Sequence, residues 1–417
     1  MFRRPELYTS YEQETQMLPT WTQKVFMGLL LVTLFLMPFD LPIISQVPII
    51  RFLGDNEWLR PMSLVLVFAV AALGLNILSG VAGQVSLGHA FFMGVGATTA
   101  VYLGGPASSQ AWGHSLPIWI WLPASGVAAA LVGVIVSPIS VRLRGLYLAI
   151  VTLGLVFLGI HFGNTSWGRK MAGPPSLGRS APELDIRIWK EAKPLVNVSD
   201  DGHWLWFDVS DSQKRYFVLL LVAIVFTVLA KNLARTRTGR ALQAIRDRDI
   251  AAEVMGVPEF RYKLIAFAIS SFYAGIAGAL FISLSGQMLA TDFDLFLSVE
   301  FIAILLIGGA GTVAGSLIGT FFVVMIPEFV KAVTEGLQGW EGGLGGAFAD
   351  LVLKDPGADF GIIYTGTQTP GWPLNVFDWN IVLYGVLIIV FLIFEPLGLF
   401  GIWVRIRNYW KGWPFSY

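Results

Sequence analysis

Between Arg60 and Arg142 the chain carries no Asp, Glu, Lys or Arg, yet polar side chains cluster inside that apolar run: Asn76, Ser79, Gln84, Ser86 and His89. Amides, hydroxyls and an imidazole offer hydrogen bonds without a fixed charge. Polar groups at membrane depth are tolerated where they face protein or a water-filled cavity, and by default they mark a function. The chemistry they suit is transient: they can replace water around a polar solute in passage. Glycines 74, 80, 83, 88, 94 and 96 interleave them in GLNILSGVAGQVSLGHAFFMGVGATTA, residues 74–100. Glycine-interrupted apolar segments build the broken helices that surround transport pathways. The reading is a translocation pathway formed by Asn76, Ser79, Gly80, Gly83, Gln84, Ser86 and His89, with Gly80 and Gly83 permitting an unwound turn. The plainer alternative is a tight loop between two ordinary helices packed through small residues.

Other chemistries find little support. His89, His114, His161 and His203 lie on four separate segments. Metal sites need clustered ligands at recognisable spacing, so no metal is expected. Cysteine is absent, which removes disulfides and thiolate chemistry. No G-x-x-x-x-G-K-[ST] loop occurs, so the chain is not expected to hydrolyse ATP, and no catalytic residue is assigned. Glu300 and Glu395 flank apolar runs; Ser298 precedes Glu300, which reads as a helix-start charge. Gly311, Gly315 and Gly319 form G-x-x-x-G-x-x-x-G and are expected on one close-packing helix face.

The elements that must position these residues are membrane helices. Of 417 residues, 55% are hydrophobic and 13% charged, and the mean hydropathy is +0.67. Soluble domains carry about 25% charged residues, so this is an all-α, polytopic integral membrane protein. Net charge is zero, which gives no reason to expect nucleic acid as a partner. Apolar runs predict ten full or partial spans: 22–39, 61–79, 85–104, 117–138, 146–163, 215–232, 262–285, 297–308, 313–331 and 380–398. Of these, 85–104 and 297–308 are the candidates for half-spans or re-entrant segments. Ten passes put Arg3, Arg4 and Lys24, Arg142 and Arg144, the basic loop 232–262 and the tail with Arg405, Arg407 and Lys411 on one side. The positive-inside rule makes that side cytoplasmic, with both termini. The division is then a cytoplasmic segment 1–21, a transmembrane domain 22–401 and a tail 402–417, with outer loops 164–214 and 332–379. The first residues lack the basic, apolar and cleavage regions of a signal peptide.

The basic loop is the second informative stretch, TRTGRALQAIRDRDIAAEVMGVPEFRYK at 236–263. Ala241, Leu242, Ala244 and Ile245 predict a short helix with one apolar side. Asp249 is expected to cap a second short helix through Glu253 and Met255, ended by Gly256 with Pro258 beyond. A mere connector needs no such alternation, so this reads as a docking knob. Together with LRGLYLAIVTLG at 143–154, SVEFIAILLIGGAGTVAGSLIG at 298–319 and FEPLGLFG at 394–401, the two stretches resemble the LivM-type permeases of branched-chain amino acid ATP-binding-cassette importers. The resemblance implies an importer permease fold in a bacterial inner membrane. It implies a homologous second permease subunit, two ATPase subunits, an extracytoplasmic substrate-binding protein and the lipid bilayer as partners. It also implies that ATP is used by the partner ATPase, with no cofactor on this chain, and that Gly239, Arg240, Ala241, Ile245, Arg246, Asp249, Ala252, Glu253 and Gly256 couple to it. The implied cargo is a branched-chain or related small apolar amino acid; the family also includes permeases for urea and short amides. An ion-coupled secondary transporter is the rival of a different class, and the charge-free stretch 61–141 opposes it.

Overall fold

The computed structural model describes residues 21–39, 58–107, 112–143, 145–174, 178–185 and 210–338, with shorter pieces between 187 and 209 and between 353 and 412. Helix α1 is Trp21–Leu36, and α2 is Leu59–Leu75, continuing into a π-helical segment Asn76–Val81. Then come α3 (His89–Gly104), α4 (Ile118–Arg142), α5 (Leu146–Asn164) and the short α6 (Ser166–Ala172). After them follow α7 (Asp211–Arg235), α8 (Arg237–Asp247), α9 (Asp249–Val254) and α10 (Glu259–Ser285). The series closes with α11 (Leu295–Gly308), α12 (Val313–Gln338) and α13 (Gly398–Gly412). Strands are two or three residues long, as in the antiparallel pairing of Arg179–Ser180 with Gln287–Met288, so the architecture is all-α.

Local sequence explains where several helices begin. Ser210 and Gln213 form a reciprocal capping box that starts α7, four residues before the apolar run. Thr236 caps α8 by accepting from Gly239 N (3.3 Å). Asp294 caps α11 by accepting from Leu297 N (3.0 Å). That corrects the role expected of Glu300: the helix starts at Leu295, and Glu300 lies in its second turn. Arg248, with extended backbone, is likewise the residue that precedes α9; Asp249 is already helical, and its carboxylate accepts from Ile250 N (2.8 Å).

Two helices are central and three are peripheral. Of an apolar 18-residue stretch in each helix, 83% is buried in α2 with its π segment and 72% in α10, against 33% in α4 and 22% each in α5 and α7. Helix α10 lies between α3, α4 and α2, where small residues let backbones meet. A Cβ on Gly278 would strike the Met93 backbone of α3, and one on Gly96 would strike the Gly275 backbone. Across α4, a Cβ on Gly275 would lie 2.6 Å from both the Ala129 Cβ and the Ser125 carbonyl oxygen. The outward faces of α4, α5 and α7 carry Ile135, Leu146 and Leu221, each at least 64% exposed, as lipid-facing helices require.

Among the described residues, five helices are long and apolar enough to cross a membrane. A sixth crossing arises if α11 and α12, bent by 119° at their junction, count as one broken span. The ten-span expectation therefore divides differently. The run 85–104 becomes the 16-residue α3, 22–39 becomes the 16-residue α1, and 297–308 with 313–331 becomes the bent pair. The run 380–398 is described only in part and is helical at most of its described positions; most of 332–379 and the first twenty residues lie outside the described residues.

Candidate translocation and coupling site

Helix α2 ends by widening. Ala82 N donates to Ile77 O (3.0 Å), a five-residue step, and Gln84 N reaches back to Leu78 O (3.0 Å). Such π turns are frequent at functional sites because they leave the regular hydrogen-bond ladder open. The polar side chains then take over backbone groups that the helix has released. Ser79 Oγ donates to Gln84 O (3.0 Å), Ser86 Oγ accepts from Gly88 N (3.3 Å), and Leu87 N donates to Thr152 Oγ1 of α5 (3.0 Å). Ala90 N, free at the start of α3, donates to Ser298 Oγ of α11 (3.1 Å). His89 is 1% exposed; its Nε2–H donates to Ala71 O (2.9 Å), and its ring stands edge-on to Phe301 at 5.2 Å.

Asn76 and Gly80 meet the second break in the fold, the α11–α12 junction. Asn76 Oδ1 accepts from Gly311 N (2.7 Å). A Cβ on Gly80 would collide with the Asn76 side chain and lie 2.5 Å from Gly311 N, so the two breaks touch only because Gly80 has no side chain. Gly311 has φ +88° and precedes α12, which corrects its expected place on a helix face with Gly315 and Gly319. Gly315 and Gly319 do lie on α12, where they face Gly308 of α11 at backbone contact.

The basic loop reaches the same point. Helix α8 buries Gly239, Ala241, Leu242 and Ile245, and it exposes Arg237 and Arg240. From its last turn Arg246 Nη1 donates to the carbonyl of Gly80. A Cβ on Gly83 would lie 2.9 Å from Arg246 Cγ, and one on Gly311 would lie 2.8 Å from Arg246 Nη1. Arg246 therefore joins both breaks to the loop that carries α8 and α9. Beyond it, α9 buries Ala252 and leaves Ile250, Val254 and Met255 71–83% exposed, with Glu253 beside them. Gly256 (φ +84°) ends this element: its N–H goes to Glu253 O (2.9 Å) and Val257 N to Ala252 O (3.0 Å).

A cavity of about 220 Å³ separates the loop after the π segment from α8, α9 and the start of α10. Gln84 lines it and is 4% exposed, and neither atom of its amide has a hydrogen-bond partner. A smaller cavity, about 50 Å³, lies between Asn76, Leu242 and Gly311. Among the described residues no group of three His, Asp or Glu is placed to hold a metal ion.

The Arg246 contact was not foreseeable: its partners are 166 residues apart in the chain. Arg179, at the opposite end of the helices, was also missed. It is 7% exposed, and its guanidinium donates to Met171 O (2.9 Å) and Pro106 O (3.1 Å), tying its own strand to the end of α6 and to the loop after α3. Burial lowers its pKa from the ordinary value.

A small-residue helical core with paired broken helices and an attached helical knob defines a multi-pass transport permease. The family model described as "Branched-chain amino acid transport system / permease component" matches residues 59–392. The chain belongs to that family and is a LivM-type permease of the ATP-binding-cassette class, a multi-pass inner-membrane protein. It is 30% identical over 296 residues to the high-affinity branched-chain amino acid transport system permease protein LivM of Escherichia coli (strain K12). It is 29% identical over 289 residues to LivM of Salmonella typhimurium. Each match covers 68% of this chain and 65% of the relative, so the chain spans about two thirds of the length of these proteins. It is also 28% identical over 288 residues to the autoinducer 2 import system permease protein LsrC of Salmonella typhi, covering 66% of this chain and 73% of that one. No solved structure matches.

Proposed function

We propose that this chain is the permease subunit of an importer that moves branched-chain or related small apolar amino acids into the cytoplasm. It pairs with a second, homologous permease subunit and two ATPase subunits that consume the ATP, and it receives its cargo from an extracytoplasmic binding protein. Both termini and the α8–α9 loop face the cytoplasm, following the distribution of basic residues. Support for the cargo comes from the LivM relatives. The observation that carries the mechanism is the hydrogen bond from Arg246 to the Gly80 carbonyl. In this reading α9, with exposed Ile250, Val254 and Met255, docks on the ATPase. Displacement of α8 is transmitted by Arg246 to the broken ends of α2 and α12, and these open or close the path past Asn76, Ser79, Gln84, Ser86 and His89. Alternating access in this reading uses no fixed charge in the path.

The likeness to LsrC supports a second reading in which the cargo is autoinducer 2. One experiment separates them. The chain is reconstituted with its permease partner, ATPases and binding protein, and uptake of labelled leucine is measured with and without ATP. ATP-dependent leucine uptake is expected. Uptake of labelled autoinducer 2 but not leucine would transfer the assignment to the second reading. Leucine uptake that persists without the ATPase subunits would overturn both.

A further inference from the structure

The 220 Å³ cavity beside Gln84 is not explained by packing. A buried amide with both donor and acceptor unmet is unfavourable, so the site favours a polar occupant. Its charged lining is balanced. Arg246, Arg248 and Lys263 supply cations, and Asp247 and Asp249 supply carboxylates. Glu259 pairs with Lys263 from one turn earlier on α10, and Arg246 is engaged on Gly80. A simple anion would also face the two lining aspartates, and a simple cation would face the guanidinium groups. A molecule carrying both charges meets neither penalty, because each end finds an opposite partner. The Gln84 amide has the same duality: its NH₂ can serve a carboxylate and its oxygen an ammonium group.

We propose that this cavity is a binding site, on the face bearing α8 and α9, for a zwitterionic amino acid. The proposal rests on the amino-acid reading of the cargo given above. The walls explain what occupancy does. One wall is the loop that follows the π segment; the other is the α8–α9 turn at Arg248. A bound molecule holds these walls at a fixed separation and restrains the movement that couples ATP hydrolysis to the pathway. Accumulated amino acid thereby slows its own import.

The test uses the assembled complex in proteoliposomes with the ATPase subunits facing the bath and loaded binding protein inside. ATP hydrolysis is followed while L-leucine is added to the bath. Hydrolysis is expected to fall severalfold. Isocaproate, which lacks the ammonium group, and isopentylamine, which lacks the carboxylate, are expected to have no effect at the same concentration. Arg248→Gln and Asp247→Asn are each expected to raise the leucine concentration for half-inhibition about tenfold, since each removes one charge-assisted contact. Each variant is read as a ratio to its own leucine-free rate. Complexes stimulated by loaded binding protein but indifferent to bath leucine would overturn this proposal and leave the cargo assignment standing. No stimulation by leucine-loaded binding protein would instead overturn the cargo assignment. Equal inhibition by isocaproate would replace the zwitterion site with an anion site, and full leucine sensitivity in both variants would move the site away from this cavity.

Discussion

Two helix breaks meet at the centre of this permease, and they are built from opposite materials. The first, from Asn76 to Gly88, is long and polar: the chain leaves α2 through a π segment, serine hydroxyls capture released backbone groups, and the Asn76 amide accepts from Gly311 N of the second break. The second, from Gly308 to Val313, is short and nearly free of side chains; it turns the chain by 119° with Gly309 and Gly311 at positive φ. One break can rearrange by exchanging hydrogen bonds. The other is held by backbone conformation and by close contacts among Gly308, Gly315, Gly319 and Gly398. Polar side-chain chemistry is thus concentrated in the first break, while the second acts as a bracket whose Gly311 amide the first grips. Paired interrupted helices that meet at a transport site are a recurring plan in membrane carriers.

The comparison breaks most decisively at Gly80. A Cβ there would collide with the buried Asn76 side chain and lie 2.5 Å from the Gly311 backbone nitrogen, so relief requires breaking the Asn76–Gly311 hydrogen bond that joins the two breaks. Gly80→Val is expected to separate the two breaks and to abolish assembly, read as loss of monodisperse complex in detergent. Gly311→Ala probes the other partner. Its neighbour at 2.8 Å is the movable tip of Arg246, so the cost is mainly that of a left-handed backbone, about 1–2 kcal/mol. That variant is expected to assemble and to unfold a few degrees lower. If the two variants behave alike, the contrast between a gripped contact and a strained turn is wrong.

An effect far smaller than at Gly80, and comparable with that at Gly311, is expected at Asn76, which is 2% exposed. Asn76→Leu removes the acceptor for Gly311 N while keeping similar volume, leaving a buried donor unmet at a cost of about 1–3 kcal/mol. Thermal unfolding of the purified complex measures this, and uptake per assembled complex measures its consequence. If the polar break lines the path, uptake per complex falls further than stability does. If Asn76 serves packing alone, uptake follows the amount of folded protein.

How much of this was readable beforehand depended on range. The apolar runs marked α2, α4, α5, α7 and α10 within a few residues, because burial in lipid demands length and hydropathy that chance rarely provides. The stop of α9 at Gly256 was equally legible, since a glycine followed closely by proline has few other uses. Local patterns failed where a distant partner decides. Gly311 belongs by spacing to the α12 glycine series, yet its conformation is set by Asn76 and Arg246 from other segments. Asp294 outranked Ser298 as the cap of α11, and Ser298 is taken up instead by Ala90 N of α3. The resemblance places Arg246 in the coupling segment, but nothing in the sequence around it points to the Gly80 carbonyl as its partner.

The smallest expected effect isolates conformation from contact. Gly256 has φ +84°, and a Cβ there would meet nothing within 4 Å. Gly256→Ala therefore adds no clash and loses no side-chain contact; it carries only the left-handed penalty of about 1 kcal/mol. In isolation that would shift unfolding of the complex by a few degrees at most. Yet Gly256 closes the turn whose amides bind Glu253 O and Ala252 O, and it thereby sets the exit angle of α9 and the attitude of exposed Ile250, Val254 and Met255. If that apolar edge docks on the ATPase, a modest local cost is magnified in binding, because a misdirected anchor loses its pocket rather than a fraction of it. Gly256→Ala is then expected to leave the permease folded and inserted while reducing co-purification of the ATPase. Met255→Ser, which leaves the turn intact, separates the two contributions: equal loss in both variants assigns docking to the apolar edge, and loss in Gly256→Ala alone assigns it to the geometry of the turn. Full co-purification and uptake in both would show that α9 is not the ATPase contact.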